Sequence, residues 1–509
     1  MKKNLLEYFE ATVKLSPAKD AVIDGDRKVS FKELNLLSKT LAFRLIAAVN
    51  AGLNKPIGVF LPKSIDSVIA DLAITCSGNF YMNLDVKSPD ARVKSIIDLI
   101  KPALLVTNSS NFNKLKSISG DITVLNIDEV GDNDTFSETI LANRIEHLID
   151  TDPLCVINTS GSTGTPKGVV LNHRSFIDFI DWACETLKIG DSEIVGSLSP
   201  LVFDIYSFEL CMLMAKGSTL VLIPETFAAF PVNILKLMQV NNVSFVFWVP
   251  TIMVNIANMD LLSKVPLPKL GTVWFAGEVF PTKQFKYWKK QISWAKFVNL
   301  YGPIEITLDC TYFVVERELK DDEPIPIGYP CRNTDVLILN EQNNLVGINE
   351  EGELCVRGTS LAMGYYNNPE KTAAAFVQNP LNTAYPEIIY RTGDWVFVND
   401  RGEIVFKGRR DTLIKHLGYR IELAEIEHVI VNTLRLVDNG CVVYNFSKKE
   451  IVLFYESTAD IPVSDIKKCI LSKLPKYMVP GSYIKVDELP RNTNGKIDRL
   501  SLNLEVGAR

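Results

Sequence analysis

An apolar burst, Leu154-Cys-Val-Ile157, runs straight into Asn158-Thr-Ser-Gly-Ser-Thr-Gly-Thr-Pro-Lys-Gly168. Apolar residues bounded by such a run read as a buried strand feeding a loop. The glycines and hydroxyls of that loop let backbone amides and side chains face one anion, because polyphosphate oxygens must approach the main chain closely. Lys167 adds a positive charge. A Walker loop requires Gly-Lys followed by Ser or Thr, and here Lys167 stands between Pro166 and Gly168. A solvated Gly/Ser linker shares this composition; the strand before the loop and the Pro-Lys-Gly after it oppose that reading.

Around this unit, apolar bursts alternate with helical patterns. Ala21–Asp24, Lys55–Leu61, Ala103–Thr107 and Thr219–Ile223 read as strands. Ser30–Leu45 reads as a helix, with Ser30 and Glu33 spaced as a capping box. Such alternation implies α/β layers with largely parallel sheets. From about Tyr365 the texture shifts to short strands and polar turns, and Trp395–Phe406 fits a hairpin turning at Asp400-Arg-Gly402. A compact α+β segment follows Asp411.

The chain has 509 residues, and single cores stop growing at roughly 250–300 residues, so at least two domains are expected. The net charge of −6 is spread without a basic block, which gives no electrostatic case for nucleic acid or an anionic membrane. The nine cysteines include no Cys-x-x-Cys pair, so neither a zinc site nor a disulfide framework is expected; they read as buried thiols in a reducing compartment. The N-terminus lacks a signal-peptide core and no long apolar run appears. The expectation is a cytoplasmic protein.

Thr159–Gly168 resembles the phosphate loop of the adenylate-forming enzymes, which include acyl-CoA ligases, luciferases and the adenylation domains of nonribosomal peptide synthesis. Four further motifs follow in the family's order: Tyr301-Gly-Pro-Ile-Glu305, Tyr390-Arg-Thr-Gly-Asp394, Gly408–Glu427 and Asn494-Gly-Lys-Ile-Asp-Arg499. The resemblance spans essentially the whole chain. It implies a large N-terminal domain of layered α/β sheets with a small β-rich subdomain (residues 1–408), a hinge at 409–411 and a mobile α+β lid (residues 412–509).

The same resemblance implies the chemistry: a carboxylate attacks the α-phosphate of ATP and pyrophosphate leaves. Thr159, Ser160, Gly161, Ser162, Thr163, Gly164 and Lys167 are expected to hold the outer phosphates. Glu305 is expected to contribute to Mg²⁺, and Tyr301, Gly302, Asp394 and Arg409 to hold the adenosine and AMP. Asp394, acceptor-only when ionised, suits ribose hydroxyls. Lys496 is expected to bridge the substrate carboxylate and α-phosphate, with Asp411 as hinge. Gly418 is expected to line the path of a phosphopantetheine thiol. Read singly, each of these residues has an ordinary alternative: a tyrosine in a core, a lysine on a surface, a Gly-Asp turn. His173 reads as a helix-start residue rather than a catalytic one, and neither it nor His416 has a partner visible in sequence. No carrier module is readable in the chain, so a freestanding enzyme acting on a carrier protein in trans is expected.

Position by position, the resemblance places Asp204, Ile205, Phe208, Phe247, Trp274, Ala276, Leu300, Leu308 and Asp309 around the acyl group. An aspartate at 204 pairs with the substrate ammonium in the amino-acid-activating branch; capping a helix that begins near Ile205 is its structural alternative. Three aromatics argue for a small substrate, and a buried Asp309 must meet a hydroxyl, an ammonium or a protein group. Phe275–Pro281, Ile180–Cys184 and Lys415–Leu423 resemble the D-alanine–carrier-protein ligases, which typically have cysteine at Ala276 and a small apolar residue at Asp309. Ile304 replaces the family's usual threonine, and Thr307 could supply the missing hydroxyl. The expected function is activation of a small or polar amino acid and its transfer to a carrier. The alternatives are an acyl- or aryl-CoA ligase, disfavoured by Asp204, and a nucleotide-binding protein without catalysis, motivated by Ile304 alone.

Overall fold

The computed structural model describes residues 2–49, 52–131, 136–159, 166–321, 323–409, 413–459, 461–490 and 497–508. The contacts divide into two units. The first comprises Met1–Val86, Lys101–Ile157 and Val169–Gly408; the second comprises Lys87–Ile100, Asn158–Gly168 and Arg409–Arg509.

Among the described residues, nine strands form the larger sheet. Their order is Tyr329–Pro330, Thr311–Val314, Lys296–Tyr301, Thr272–Phe275, Phe245–Trp248, Ile194–Ser197, Thr219–Leu222, Asp20–Asp24 and Arg27–Ser30. Pairing is parallel from Lys296–Tyr301 through Asp20–Asp24 and antiparallel only beyond those strands. A second sheet of seven strands has a parallel run in the order Pro153–Thr159, Phe80–Asn83, Pro56–Phe60, Leu104–Thr107 and Val124–Asn126. The central strands are buried along their whole length, as Phe245–Trp248 and Leu104–Thr107 show. Continuous apolar runs of this kind mark strands covered on both faces.

The helix Phe31–Ala48 starts where its sequence signature placed it. Ser30 Oγ accepts the amide of Glu33, whose carboxylate accepts the amide of Ser30 at 2.8 Å, closing the capping box. The parallel α/β character expected from sequence is therefore the one found. One expectation needs correction. The antiparallel sheet begins at Thr334–Leu339 and Gly352–Gly358, before Tyr365, and continues through Ile388–Val398. Leu337–Leu339 and Leu354–Val356 are short apolar bursts like those of the parallel strands, so composition alone does not mark the change of sheet type.

The second unit contains a three-stranded sheet of Asn439–Asn445, Glu450–Glu456 and Ser482–Lys485, with helices Val463–Leu471 and Arg499–Ala508. Within it Arg92 pairs with the buried carboxylate of Glu425, and Arg499 holds Glu427 at 2.8 Å. Among the described residues, which include all nine cysteines, there is no disulfide bond, and seven of the cysteines are buried. Among the described residues, no helix is long and apolar enough to cross a membrane.

Candidate active site

The strand Lys296–Tyr301 ends in a loop that is tied back on itself. The Cys310 amide donates to the Tyr301 carbonyl at 2.8 Å, and Thr307 closes a turn onto the Ile304 carbonyl at 3.0 Å. Gly302 is dictated by packing: a Cβ there would lie 2.2 Å from the Leu308 carbonyl oxygen. Thr307 and Leu308 stand in succession at positive φ, +52° and +66°, which is costly for side-chain-bearing residues. The Thr307 hydroxyl is buried and has no hydrogen-bond partner among the described residues.

This loop gathers one group of expected residues. Tyr301 donates its hydroxyl to Asp394, which lies in the long strand Ile388–Val398. Asp394 is held in turn by its amide, which donates to Thr392 Oγ1 at 3.0 Å, while Thr392 donates to the Leu354 carbonyl at 2.7 Å. Glu305 is fully buried and accepts the Tyr365 hydroxyl at 2.8 Å. The tyrosine and aspartate motifs, some ninety residues apart in sequence, are thus one hydrogen-bonded assembly. Tyr365 was not anticipated; its position beside Gly364 on a two-residue edge strand has no signal in sequence.

The acyl-side residues form a second group. Ile205, Phe208, Phe247, Trp274, Ala276, Leu300 and Leu308 belong to one continuous buried cluster. Phe208 stacks on Trp274 with ring centroids 5.3 Å apart, and Phe247 meets both edge-on at 5.6 and 5.7 Å. Phe245, not anticipated, closes on Trp274 at 5.0 Å; strand alternation places 245 and 247 on the same face. Phe208, Phe247 and Trp274 are all 0% exposed. Asp204 opens the helix Asp204–Lys216 one residue earlier than the capping alternative supposes. Phe203 is the N-cap, and Asp204 Oδ1 accepts the Ile205 amide at 2.9 Å. Asp309 is buried and engaged within the protein.

The remaining candidates are placed as follows. Thr159 ends the strand Pro153–Thr159 and Lys167 begins Lys167–Asn172, whereas Ser160, Gly161, Ser162, Thr163, Gly164, Asp411 and Lys496 lie outside the described residues. Arg409 ends the strand Ile404–Arg409. Gly418 is the second residue of a two-residue turn joining Leu413–His416 to Tyr419–Glu422, at φ +83° after Leu417 at +53°. The turn itself therefore demands a glycine there. His173 starts the helix His173–Thr186, is buried, and accepts the Leu5 amide at 3.4 Å; burial pushes its imidazole down to about 4. His416 Nδ1 lies 3.1 Å from the Tyr444 hydroxyl.

The α/β body thus carries the Tyr301–Asp394 pair and the buried Glu305 on segments joined by hydrogen bonds. Residues 9–366 match the AMP-binding enzyme family, and the chain belongs to it; it is an adenylate-forming enzyme. Zwittermicin A synthase ZmaJ of Bacillus cereus is 30% identical over 98% of this chain and 94% of that protein. Gramicidin S synthase 2 of Brevibacillus brevis is 31% identical over 98% of this chain, which spans only 11% of that longer protein. Two solved structures share the fold. The Vibrio cholerae adenylation domain AlmE, in complex with glycyl-adenosine-5'-phosphate, has a TM-score of 0.85 at 19% identity, covering 100% of this chain and 98% of that one. Holo-PA1221, a protein containing adenylation and PCP domains, has a TM-score of 0.83 at 22% identity, covering 98% and 84%.

Proposed function

We propose that the enzyme activates a small amino acid as its adenylate and transfers it to the phosphopantetheine thiol of a carrier protein. The observation that carries this reading is the close-packed aromatic cluster one helical turn from Asp204. Asp204 and Phe208 lie one turn apart on the same helix and so share a face. Phe208 is packed against Trp274 and Phe247. A carboxylate beside a close-packed aromatic floor suits a substrate that presents an ammonium and little side chain. The glycyl adenylate held by AlmE and the carrier domain of PA1221 agree with this reading.

In the reaction, a substrate carboxylate oxygen bonds to the α-phosphorus while the bond to the pyrophosphate oxygen breaks. Two anions must meet, so catalysis is chiefly positioning and charge neutralisation. Ser160–Lys167 would hold the outer phosphates, Tyr301 and Arg409 the adenosine and its phosphate, and Asp394 the ribose. Lys496 would lie between carboxylate and α-phosphate. Movement of the C-terminal segment about Asp411 would then bring the turn at Gly418 to the adenylate for attack by the thiol. Among the described residues, no three His, Cys, Asp or Glu side chains cluster as metal ligands. Glu305 would offer Mg²⁺ a carboxylate oxygen, a ligand type this ion favours. When bound, Mg²⁺ neutralises charge on the phosphates.

The test is amino-acid-dependent pyrophosphate release across the proteinogenic amino acids, D-alanine, D-serine and short diamino acids, with and without coenzyme A. Glycine, alanine or serine is expected to give the strongest signal without coenzyme A. Turnover only with plain carboxylic acids and coenzyme A would make the protein a CoA ligase and leave Asp204 a structural residue.

A further inference from the structure

Between the strand Ile194–Ser197 and the helix that Asp204 opens runs a short connection with a charged group at its root. Lys63 Nζ donates to the Ser197 carbonyl at 2.8 Å and to the Ser199 carbonyl at 2.7 Å. Lys63 follows the strand Pro56–Phe60 of the seven-stranded sheet, whereas Ser197 ends a strand of the nine-stranded one. One ammonium thus ties the carboxyl-terminal end of one sheet to that of the other. From the far side, Glu209 on the helix accepts the Ser197 hydroxyl at 2.5 Å. Glu209 is fully buried, and its second oxygen has no hydrogen-bond partner among the described residues. Loss of hydration lowers the Lys63 amine to about 8, against the opposing pull of Glu209, Glu225 and Asp24, and burial raises Glu209 to about 7.

Charges are costly to hold away from water, and a turn can be fixed without them. Here both grip the strand end of the connection that leads to Asp204. The Phe203 amide bonds back to the Pro200 carbonyl at 3.1 Å, so the intervening residues form a tight turn with little slack. A shift of Ser197–Ser199 would therefore pass directly to the first turn of the helix.

We propose that Lys63, seconded by Glu209, is a positioning residue for substrate-amine recognition: by clamping Ser197–Ser199 it fixes the place of the Asp204 carboxylate. This rests on the reading that Asp204 pairs with the substrate ammonium. Lys63 touches the connection and not the reacting atoms, so its loss should appear in discrimination for the amine and not in use of ATP.

The experiment is ATP–pyrophosphate exchange with glycine, L-alanine, D-alanine and L-serine, each set against the acid lacking its amine (acetate, propionate or 3-hydroxypropionate). Wild type, Lys63→Met, Lys63→Arg and Asp204→Asn are compared. Lys63→Met is expected to raise the amino-acid KM about tenfold and to shrink the preference over the des-amino acid equally, a change worth about 1.4 kcal/mol. The KM for ATP should stay within twofold, and Lys63→Arg should recover most of the preference. A Lys63→Met enzyme that keeps the preference, while Asp204→Asn loses it, overturns the role of Lys63 and leaves Asp204 standing. An Asp204→Asn enzyme that keeps the preference overturns the reading of Asp204 itself. A parallel loss for amino acid, des-amino acid and ATP, with a lower melting temperature, makes Lys63 a stabilising residue only and also defeats the proposal.

Discussion

The two halves of the candidate site are built from opposite materials, and one segment serves both. Along residues 300–310, Leu300, Ile304 and Leu308 belong to the same large buried cluster as the aromatic residues, whereas Tyr301, Ile306 and Cys310 join the core of the antiparallel sheet. On the first side, Phe208, Phe247 and Trp274 pack ring against ring. On the second, Tyr301 with Asp394 and Tyr365 with Glu305 are polar pairs, each oriented by hydrogen bonds. Under the proposed function the aromatic side would select by volume, which requires close packing. The polar side would recognise by acceptor geometry, which requires fixed directions. The strained pair Thr307 and Leu308 lies where the segment must serve both.

The strongest way to break the contrast is to open the floor. Trp274→Ala should cost about 3–5 kcal/mol of stability, as truncating a fully buried aromatic does. In return it should extend activation to larger amino acids, read by pyrophosphate exchange beside a denaturant titration. An enlarged substrate range at unchanged stability would mean the floor is looser than its packing implies.

Next comes acid. The helix His173–Thr186 carries Phe179, which meets Phe208 edge-on at 5.7 Å, so it supports the aromatic side. Its first residue is buried, with an imidazole lowered from 6.5 to about 4. A depressed folded value means the unfolded chain takes up the proton first. The neutral ring's stabilisation is therefore complete above pH 6.5 and lost as pH falls through 4. The loss is roughly 3 kcal/mol. Urea midpoints measured from pH 7 to 4 should fall by more in wild type than in His173→Gln.

Asp204→Asn sharpens the comparison from the other direction. It should lower kcat/KM for amino acids about 100-fold, near 2.7 kcal/mol, with the KM for ATP held within twofold. A change in both would show that the polar and aromatic sides are not independently addressable. The smallest effect is expected at Leu417. A leucine at positive φ in a two-residue turn is replaced at a gain by asparagine, so Leu417→Asn should raise stability by about 0.5–1 kcal/mol. Calorimetry should show a small rise in melting temperature.

Much of this was legible in the chain. The capping box at Ser30 and Glu33, the buried strands and the α/β class follow from local spacing and periodicity. The ordered motifs pointed to the family that the comparisons establish. What stayed hidden shares one property: it is contact between residues far apart in sequence. Tyr365 reaches Glu305 across sixty residues, and Lys63 reaches Ser197 from the other sheet. Neither has a local pattern, because a lone tyrosine or lysine reads as core or surface until its neighbours are known.

By itself, then, the sequence determined the class of fold, the family and the identity of the residues that carry charge and hydroxyls, since these are written in short-range pattern. That the aromatic residues Phe208, Phe247 and Trp274 pack ring against ring came from the folded chain alone. Only it decided that Gly302 is required by the Leu308 carbonyl, and that Lys63 grips the turn before Asp204. Volume and direction are properties of packed neighbours, and packing is settled only when distant segments meet.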